Sequence, residues 1–203
     1  MYLQLISLIL LYILNRVITM NYVGIDEAGR GPLAGPVTIC GVKYNGINIY
    51  GVRDSKQIPQ KKREILYKEI LKTHEVFVVM VNNKKIDELG IQVVLEDGIE
   101  QIYRYFGETK CLIDGYFRNI PDKCETIIKG DQKIYEISAA SIVAKVVRDN
   151  FMTSVGKRNE FSVYNFGNNK GYGSKYHFEM LRKYGLSKLH RKTFIHLNKV
   201  EKE

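Results

Sequence analysis

Four carboxylates stand where predicted elements end. Asp26 ends the apolar run 22–26 (YVGID) and Glu27 follows it. Asp114 ends the run 111–114 (CLID) and precedes Gly115, and Asp149 ends the helix-patterned run 135–149. Ligands and catalytic groups in open α/β sheets gather at the ends of neighbouring strands, so acids far apart in sequence can converge there. Crowded carboxylates raise one another's pKa unless a cation compensates. An all-oxygen donor set selects hard cations, here Mg²⁺ or Mn²⁺. Two such ions about 3.5–4 Å apart can clamp the attacking and leaving oxygens of a phosphodiester, one acidifying a water and the other steadying the departing 3′ oxygen. The chemistry expected is phosphodiester hydrolysis without a covalent protein intermediate.

Each acid also has a simpler reading. An Asp followed by Gly at a strand end is commonly a turn former, and taken alone Asp114 fits that better. Asp149 at a helix C-terminus would oppose the macrodipole, which makes a purely structural role unattractive. Successive strand residues point to opposite faces. Asp26 and Glu27 can therefore share a site only if the strand ends between them or the longer Glu27 curls back. On the 135–149 run, Ser138, Ser141, Lys145 and Asp149 are spaced 3, 4 and 4 and share one helix face. Ala139, Ile142, Val143 and Val146 form the neighbouring apolar stripe.

Directly after Glu27 comes the glycine-rich GRGPLAG, residues 29–35. It lacks the G-K-[ST] ending of a P-loop and the GxGxxG spacing of a dinucleotide fingerprint. Its glycines would let backbone groups approach a ligand closely, and Arg30 could contact a phosphate. Without the two acids before it, an ordinary tight connection between strands would be the better reading.

These residues need a scaffold. Residues 22–26 and 36–44 read as strands, and 47–52 as a third strand completing a meander. A helix is expected over 59–73, with Pro59 in its first turn. The continuous apolar run 76–81 (VFVVMV) predicts a central strand. Helical spacing recurs over 93–106, short strands over 111–114 and 126–129, and helices over 135–149 and 174–184, the last ended by Gly185. Strands alternating with helices after an initial meander predict the α/β class, a mixed sheet flanked by helices.

The formal net charge is +9. From Ser141 onward there are 13 Lys and Arg against 5 Asp and Glu; the first 140 residues hold 18 against 17. A basic excess confined to one third of the chain favours a polyanionic partner such as nucleic acid. Three widely spaced cysteines, Cys40, Cys111 and Cys124, include no CxxC pair. That excludes a disulfide framework, fits a reducing, cytoplasmic setting and assigns them to core packing. Residues 1–14 (MYLQLISLILLYIL) are almost wholly apolar, yet shorter than the roughly 20 residues a spanning helix needs. They lack the basic start and cleavage site of a signal peptide. The division expected is a leader, residues 1–19, and one domain over residues 20–203 that starts near Met20. The leader is read as dispensable, the alternatives being an extra packed helix or a membrane contact.

The run from Asp26 to Val37 (DEAGRGPLAGPV) resembles the signature of the ribonuclease HII family. Agreement continues at Asp54-Ser55-Lys56, Ile113-Asp114-Gly115 and Lys129-Gly130-Asp131. It extends through residues 140–149 (ASIVAKVVRD), Lys170-Gly171-Tyr172-Gly173-Ser174 with His177, and His190-Arg191-Lys192-Thr193-Phe194. These seven ordered blocks span Tyr22 to Phe194. The resemblance implies an RNase H-like mixed five-stranded sheet flanked by helices, with a small C-terminal helical part. It implies Asp26, Glu27, Asp114 and Asp149 as the metal-binding catalytic acids for Mg²⁺ or Mn²⁺. It implies that the backbone of Gly29, Arg30 and Gly31 reads a ribose 2′-hydroxyl, with Tyr172 against the neighbouring sugar. A 2′-hydroxyl contact is the physical way to tell RNA from DNA. Lys56, Ser141, Lys145 and the basic tail would hold phosphates.

The partners implied are RNA–DNA hybrids and duplex DNA carrying ribonucleotides, cut by a monomer with no obligate protein partner to leave 3′-hydroxyl and 5′-phosphate ends. Two features depart from the family: the apolar leader, and Thr193 where Ser is usual. The GRG sequence and the short N-terminal extension separate the chain from the type HIII enzymes. The rival readings are another two-metal nuclease on the same fold and a catalytically silent nucleic-acid binder.

Overall fold

A computed structural model of the chain describes residues 22–195; the expectations for residues 1–19 and for the last residues lie outside them. Five strands form one mixed sheet in the order β3-β2-β1-β4-β5: β1 (Tyr22–Ala28), β2 (Val37–Lys43), β3 (Val76–Val81), β4 (Lys110–Asp114) and β5 (Cys124–Ile127). The pairs β1–β2 and β2–β3 are antiparallel, and β1–β4 and β4–β5 parallel. The helices are α1 (Gln60–Thr73), α2 (Asn83–Leu89), α3 (Ile91–Tyr105), α4 (Tyr135–Gly156), α5 (Phe166–Asn169) and α6 (Lys175–Tyr184).

Strand β1 lies at the centre and is covered on both sides. Val23 and Ile25 pack with Cys111 and Ile113 of β4 against Val94, Leu95, Ile99 and Ile102 of α3. On the other face, Ala28 joins Cys40 and Val42 of β2 beneath Ala139, Ala140, Ile142 and Val143 of α4, with Leu66 and Ile70 of α1 alongside. Burying one such large aliphatic side chain contributes about 1.5–3 kcal/mol. Helix α4 sits directly on β1 because residue 24 is glycine: a Cβ there would lie 2.3 Å from the Glu136 carbonyl carbon and 2.4 Å from the Ile137 nitrogen.

The mixed sheet agrees with the sequence reading, but residues 47–52 do not form a strand, and Val76–Val81, expected at the centre, is the edge strand β3 with one of its six residues buried. The free edge of β2 is taken by β3, from Val37 opposite Val81 to Val42 opposite Val76. The 47–52 segment instead crosses as a loop: the Ile49 amide donates to the Tyr135 hydroxyl at 2.9 Å, and the Ile47 carbonyl lies 3.0 Å from His74 Nε2. Helix α2 was not legible, because Ile86 is the one apolar residue that it buries. Its start is marked by Asn82, whose side chain accepts from the Lys85 amide at 2.9 Å. Strand β5 stops at Ile127, short of the expected 129, where Lys129 takes a left-handed φ of 56°.

Helix α4 runs to Gly156 rather than ending at Asp149, because Met152 and Val155 are buried in a third cluster with Phe161, Tyr164, Phe166 and Leu181. Asp149 therefore sits inside the helix, and the macrodipole argument does not apply to it. That third cluster holds together the small C-terminal helical part, which contains α5 and α6. Cys40, Cys111 and Cys124 are free and buried. No helix among the described residues is long and apolar enough to cross a membrane.

Candidate metal centre and cleft

Strand parity selects the acids. On β1 the residues at 23 and 25 face α3, so Asp26 faces α4. On β4 the residues at 111 and 113 face α3, so Asp114 also faces α4. Ile25 and Ile113 are the last partners of the parallel β1–β4 pair, which puts Asp26 and Asp114 one step further on, side by side. A third acid comes from the 3₁₀ turn Gly130–Gln132 after β5: carboxylate oxygens of Asp26, Asp114 and Asp131 all lie within 4.8 Å of one another. Asp131 belongs to the Lys129-Gly130-Asp131 block, but sequence reasoning gave it no role. Its order after a short strand was the available signal.

Neither Glu27 nor Asp149 belongs to that tight group. Strand β1 continues through both acids to Ala28, so Asp26 and Glu27 do alternate. Glu27 is nevertheless close enough for its charge to be felt at Asp26 and Asp114, and its Oε1 lies 3.4 Å from the Arg30 guanidinium. Asp149 pairs with the Lys145 ammonium one turn earlier at 3.0 Å.

The group is electrostatically strained without a cation. Burial, and then the charges of Glu27 and Asp114, push the Asp26 carboxyl well above its usual range, against a 2.7 Å hydrogen bond from the Glu27 amide. Burial also raises Glu27, with Arg30 opposing, and raises Asp131, with Asp114 and Asp54 adding to it. Asp114 is fixed by the Gly130 amide, which donates to its Oδ1 at 2.6 Å. Burying like charges this closely is unfavourable unless a positive charge joins them. A set of carboxylate oxygens alone fits Mg²⁺ or Mn²⁺.

Beside Asp26 and Glu27 lies a cleft of about 310 Å³, whose walls also include Gly29, Arg30, Gly31, Lys56, Lys145 and Tyr172. Burial alone would pull the Lys56 ammonium down, but Asp54, Asp131, Asp26 and Asp114 outweigh it and raise its pKa. Lys56 stands 3.8 Å from Asp131. Ser141 corrects the sequence reading: it is 4% exposed, accepts from the Ser55 amide at 3.2 Å and donates to the Ser138 carbonyl at 3.0 Å. Its hydroxyl is spent on holding the 54–56 turn and is not offered to a phosphate.

The glycine loop is shaped by two arginines to which sequence reasoning assigned nothing. Arg148 and Arg191 are both fully buried. Arg191 donates to the carbonyls of Gly29 (2.7 Å), Arg30 (3.0 Å), Gly35 (3.0 Å) and Pro36 (3.0 Å). Arg148 donates to Pro36 (2.8 Å) and Ala34 (3.1 Å). Their place in two of the seven blocks was the only sign. Gly29 has a φ of +94°, and a Cβ there would meet Arg148 Nε at 2.0 Å, so nothing larger fits. Gly31 differs: a Cβ there would meet nothing within 4 Å, so the fold itself gives no reason for a glycine.

Tyr172 is held from behind. The Ser187 amide donates to His190 Nδ1 at 2.8 Å, which leaves the His190 proton on Nε2. That proton points at His177 Nε2, 2.9 Å away, so His177 carries its own on Nδ1 and donates it to the Tyr172 carbonyl at 2.8 Å. Burial lowers the His177 pKa, and burial with repulsion from any proton placed on His177 lowers His190 to about 4, which favours the neutral pair that these hydrogen bonds describe. The Tyr172 ring, 43% exposed, has Lys145 Nζ and the Arg148 guanidinium each 5.6 Å from its centroid.

The family model described as Ribonuclease HII matches residues 23–197 of the chain. A ribonuclease HII of Campylobacter jejuni subsp. doylei is 42% identical over 176 residues, which cover 86% of this chain and 91% of that protein. The Campylobacter hominis ribonuclease HII is 44% identical over 177 residues, covering 86% and 94%. Among solved structures, the ribonuclease HII of Archaeoglobus fulgidus, determined in complex with PCNA, superposes with a TM-score of 0.72 at 25% identity, covering 89% of this chain and all of that one.

Proposed function

Because the chain belongs to the ribonuclease HII family of metal-dependent endoribonucleases, we propose that it hydrolyses the RNA strand of RNA–DNA hybrids and cuts on the 5′ side of single ribonucleotides embedded in duplex DNA. The products are a 3′-hydroxyl and a 5′-phosphate. The observation that carries this reading is the shared cleft, in which Asp26 of the carboxylate group, Glu27, residues 29–31 and Tyr172 line one cavity.

The acids proposed to hold divalent cations are Asp26, Asp114 and Asp131, which the fold brings together, with Glu27 beside them; Asp149, expected from the sequence as the fourth, is paired with Lys145 outside that group. Two such ions, Mg²⁺ or Mn²⁺, would supply charge neutralisation at the phosphate and Lewis-acid activation of water. Asp131 sits beside Asp26 and Asp114 and deepens the negative field that draws a cation in. Lys56 and Lys145 offset phosphate charge, and the cavity walls hold the scissile group in place. The open space above Gly31 admits a ribose edge to the backbone, and the Tyr172 ring supports the next sugar. Three buried, unpaired cysteines fit a reducing compartment such as the cytoplasm.

The decisive assay incubates the protein with a DNA duplex carrying one ribonucleotide, in Mg²⁺ or Mn²⁺ and then in EDTA, beside Asp26→Asn. Metal-dependent cutting 5′ to the ribonucleotide, lost in the variant, is expected. Binding of the duplex without cutting by folded protein would replace this reading with that of a silent binder.

A further inference from the structure

A second groove, of about 500 Å³, lies beside the acidic cleft and is lined by Arg30, Gln92, Tyr116 and Arg118. Arg30 lines both, so the two adjoin on either side of its side chain. The walls of this groove are tied together by one buried carboxylate that takes no part in the acidic group. Glu96 of α3 is 9% exposed and accepts from Gln92 Nε2 at 2.8 Å, from Asn119 Nδ2 at 3.0 Å and from the Arg118 and Asn119 amides at 3.4 Å each. With its Nε2 committed to Glu96, Gln92 turns its Oε1 outward, where it accepts from Arg30 Nη2 at 2.9 Å. Under Arg30 lies Phe117, its ring centroid 5.6 Å from the guanidinium carbon. A buried carboxylate is tolerated only when hydrogen-bonded. Here its bonds fix the arginine on one wall and the loop carrying Arg118 on the other.

What the groove offers outward is cationic and aromatic. Tyr116 is 64% exposed, and the Arg118 side chain is exposed and in none of the ion pairs among the described residues. Arg118 follows Asp114 by four residues, so its backbone lies within about 14 Å of that acid. A duplex strand advances about 3.4 Å per nucleotide, which puts Arg118 within about four steps of the cleft.

We infer that this groove is a second nucleic-acid subsite, in which Arg118 and Arg30 grip the phosphodiester backbone of the flank beyond the glycine loop and Tyr116 packs against a sugar or base. The inference rests on the nuclease reading for the identity of the polyanion.

The test measures duplex affinity as a function of salt in metal-free buffer, and cleavage in Mg²⁺, for wild type, Arg118→Ala, Tyr116→Ala and the charge-matched control Lys72→Ala on α1. Thermal melts confirm that the exposed-residue variants fold. Losing one phosphate contact lowers the slope of log K against log salt by about 0.9. That change is expected for Arg118→Ala and not for Lys72→Ala, with a raised KM and an unchanged kcat. Trimming the duplex from one end only should erase the difference between wild type and Arg118→Ala. If wild type cuts but Arg118→Ala matches it in slope and KM, the groove is overturned and the nuclease reading stands. If wild type binds without cutting while Arg118→Ala still loses slope, the nuclease reading fails and the groove stands. Wild type that does not bind the duplex overturns both.

Discussion

At the scale of single residues, the acids and the glycines make opposite demands on the chain. Asp26 is a carboxylate whose pKa folding raises. The native state thus binds more protons than the unfolded chain above the ordinary Asp range, and by linkage its contribution to stability falls as pH rises. Asp26→Asn removes the charge yet keeps an oxygen to accept from the Glu27 amide. The metal-free variant should therefore melt above wild type at pH 7.5 in EDTA, while its cleavage rate falls by about 10²–10³-fold or more. Mg²⁺ should raise the wild-type melting temperature and leave that of the variant nearly still. A variant melting below wild type in EDTA would contradict the charge-repulsion account. The two GRG glycines separate in the same way. Gly29→Ala drives a Cβ into Arg148 at a φ of +94° and should lose about 1–3 kcal/mol in urea unfolding. Gly31→Ala has free space and should unfold within about 0.5 kcal/mol of wild type. Its loss should appear as poorer discrimination between ribonucleotide-containing and all-DNA duplexes.

At the scale of elements, the glycine loop is positioned by the C-terminal part rather than by its own strands. The Leu33 amide donates to the Gly171 carbonyl at 2.8 Å, Gly35 to Leu189 at 2.9 Å, and Arg191 back to Leu33 at 2.8 Å. Arg191→Lys keeps the charge but cannot reproduce a planar fork that reaches four carbonyls. It should destabilise the protein by at least about 2–3 kcal/mol in urea unfolding, and activity should fall with the loop. The paired histidines join the segment 187–191 to α6 and to the turn bearing Tyr172. Their folded pKa values lie below the unfolded value of about 6.5, with His190 at about 4. The unfolded chain takes up protons first, so stability falls as pH drops from about 6.5 towards 4. His190→Gln should flatten that part of the pH–stability curve relative to wild type, measured by urea unfolding between pH 7 and 4.5. The carboxylate cluster acts in the opposite direction, so the difference between the two proteins is the quantity that isolates the histidines.

For the whole molecule, the basic excess from Ser141 onward falls in the part of the chain whose Arg148, Gly171, Leu189 and Arg191 hold the glycine loop, and it favours a polyanionic partner. Duplex affinity should fall steeply between 50 and 200 mM salt, by about 10³-fold if six or more phosphates are neutralised. A shallow salt dependence would show that the charge serves solubility instead. The acids convert that attraction into metal-dependent chemistry, and the protein should sediment as a monomer with or without the duplex.

Apolar periodicity and strand-end carboxylates are local signals, so the sheet class and most elements were legible in the chain, and Asp26, Glu27, Asp114 and Asp149 were the acids they pointed to. The sequence also marked Asp131, Arg148 and Arg191 within conspicuous blocks while leaving their roles blank. Which acids meet depends on how the strands and turns come together. Strand parity puts Asp26 and Asp114 on the α4 face, the turn after β5 adds Asp131, and the extension of α4 to Gly156 leaves Asp149 paired with Lys145. Residues 47–52 lost their expected strand because β3, from further along the chain, had the better claim to the edge of β2. Ser141 turned inward for a similar reason, its hydroxyl taken by a backbone amide 86 residues away. Such outcomes depend on which distant groups compete for one edge or one hydrogen bond, and no local pattern carries that information.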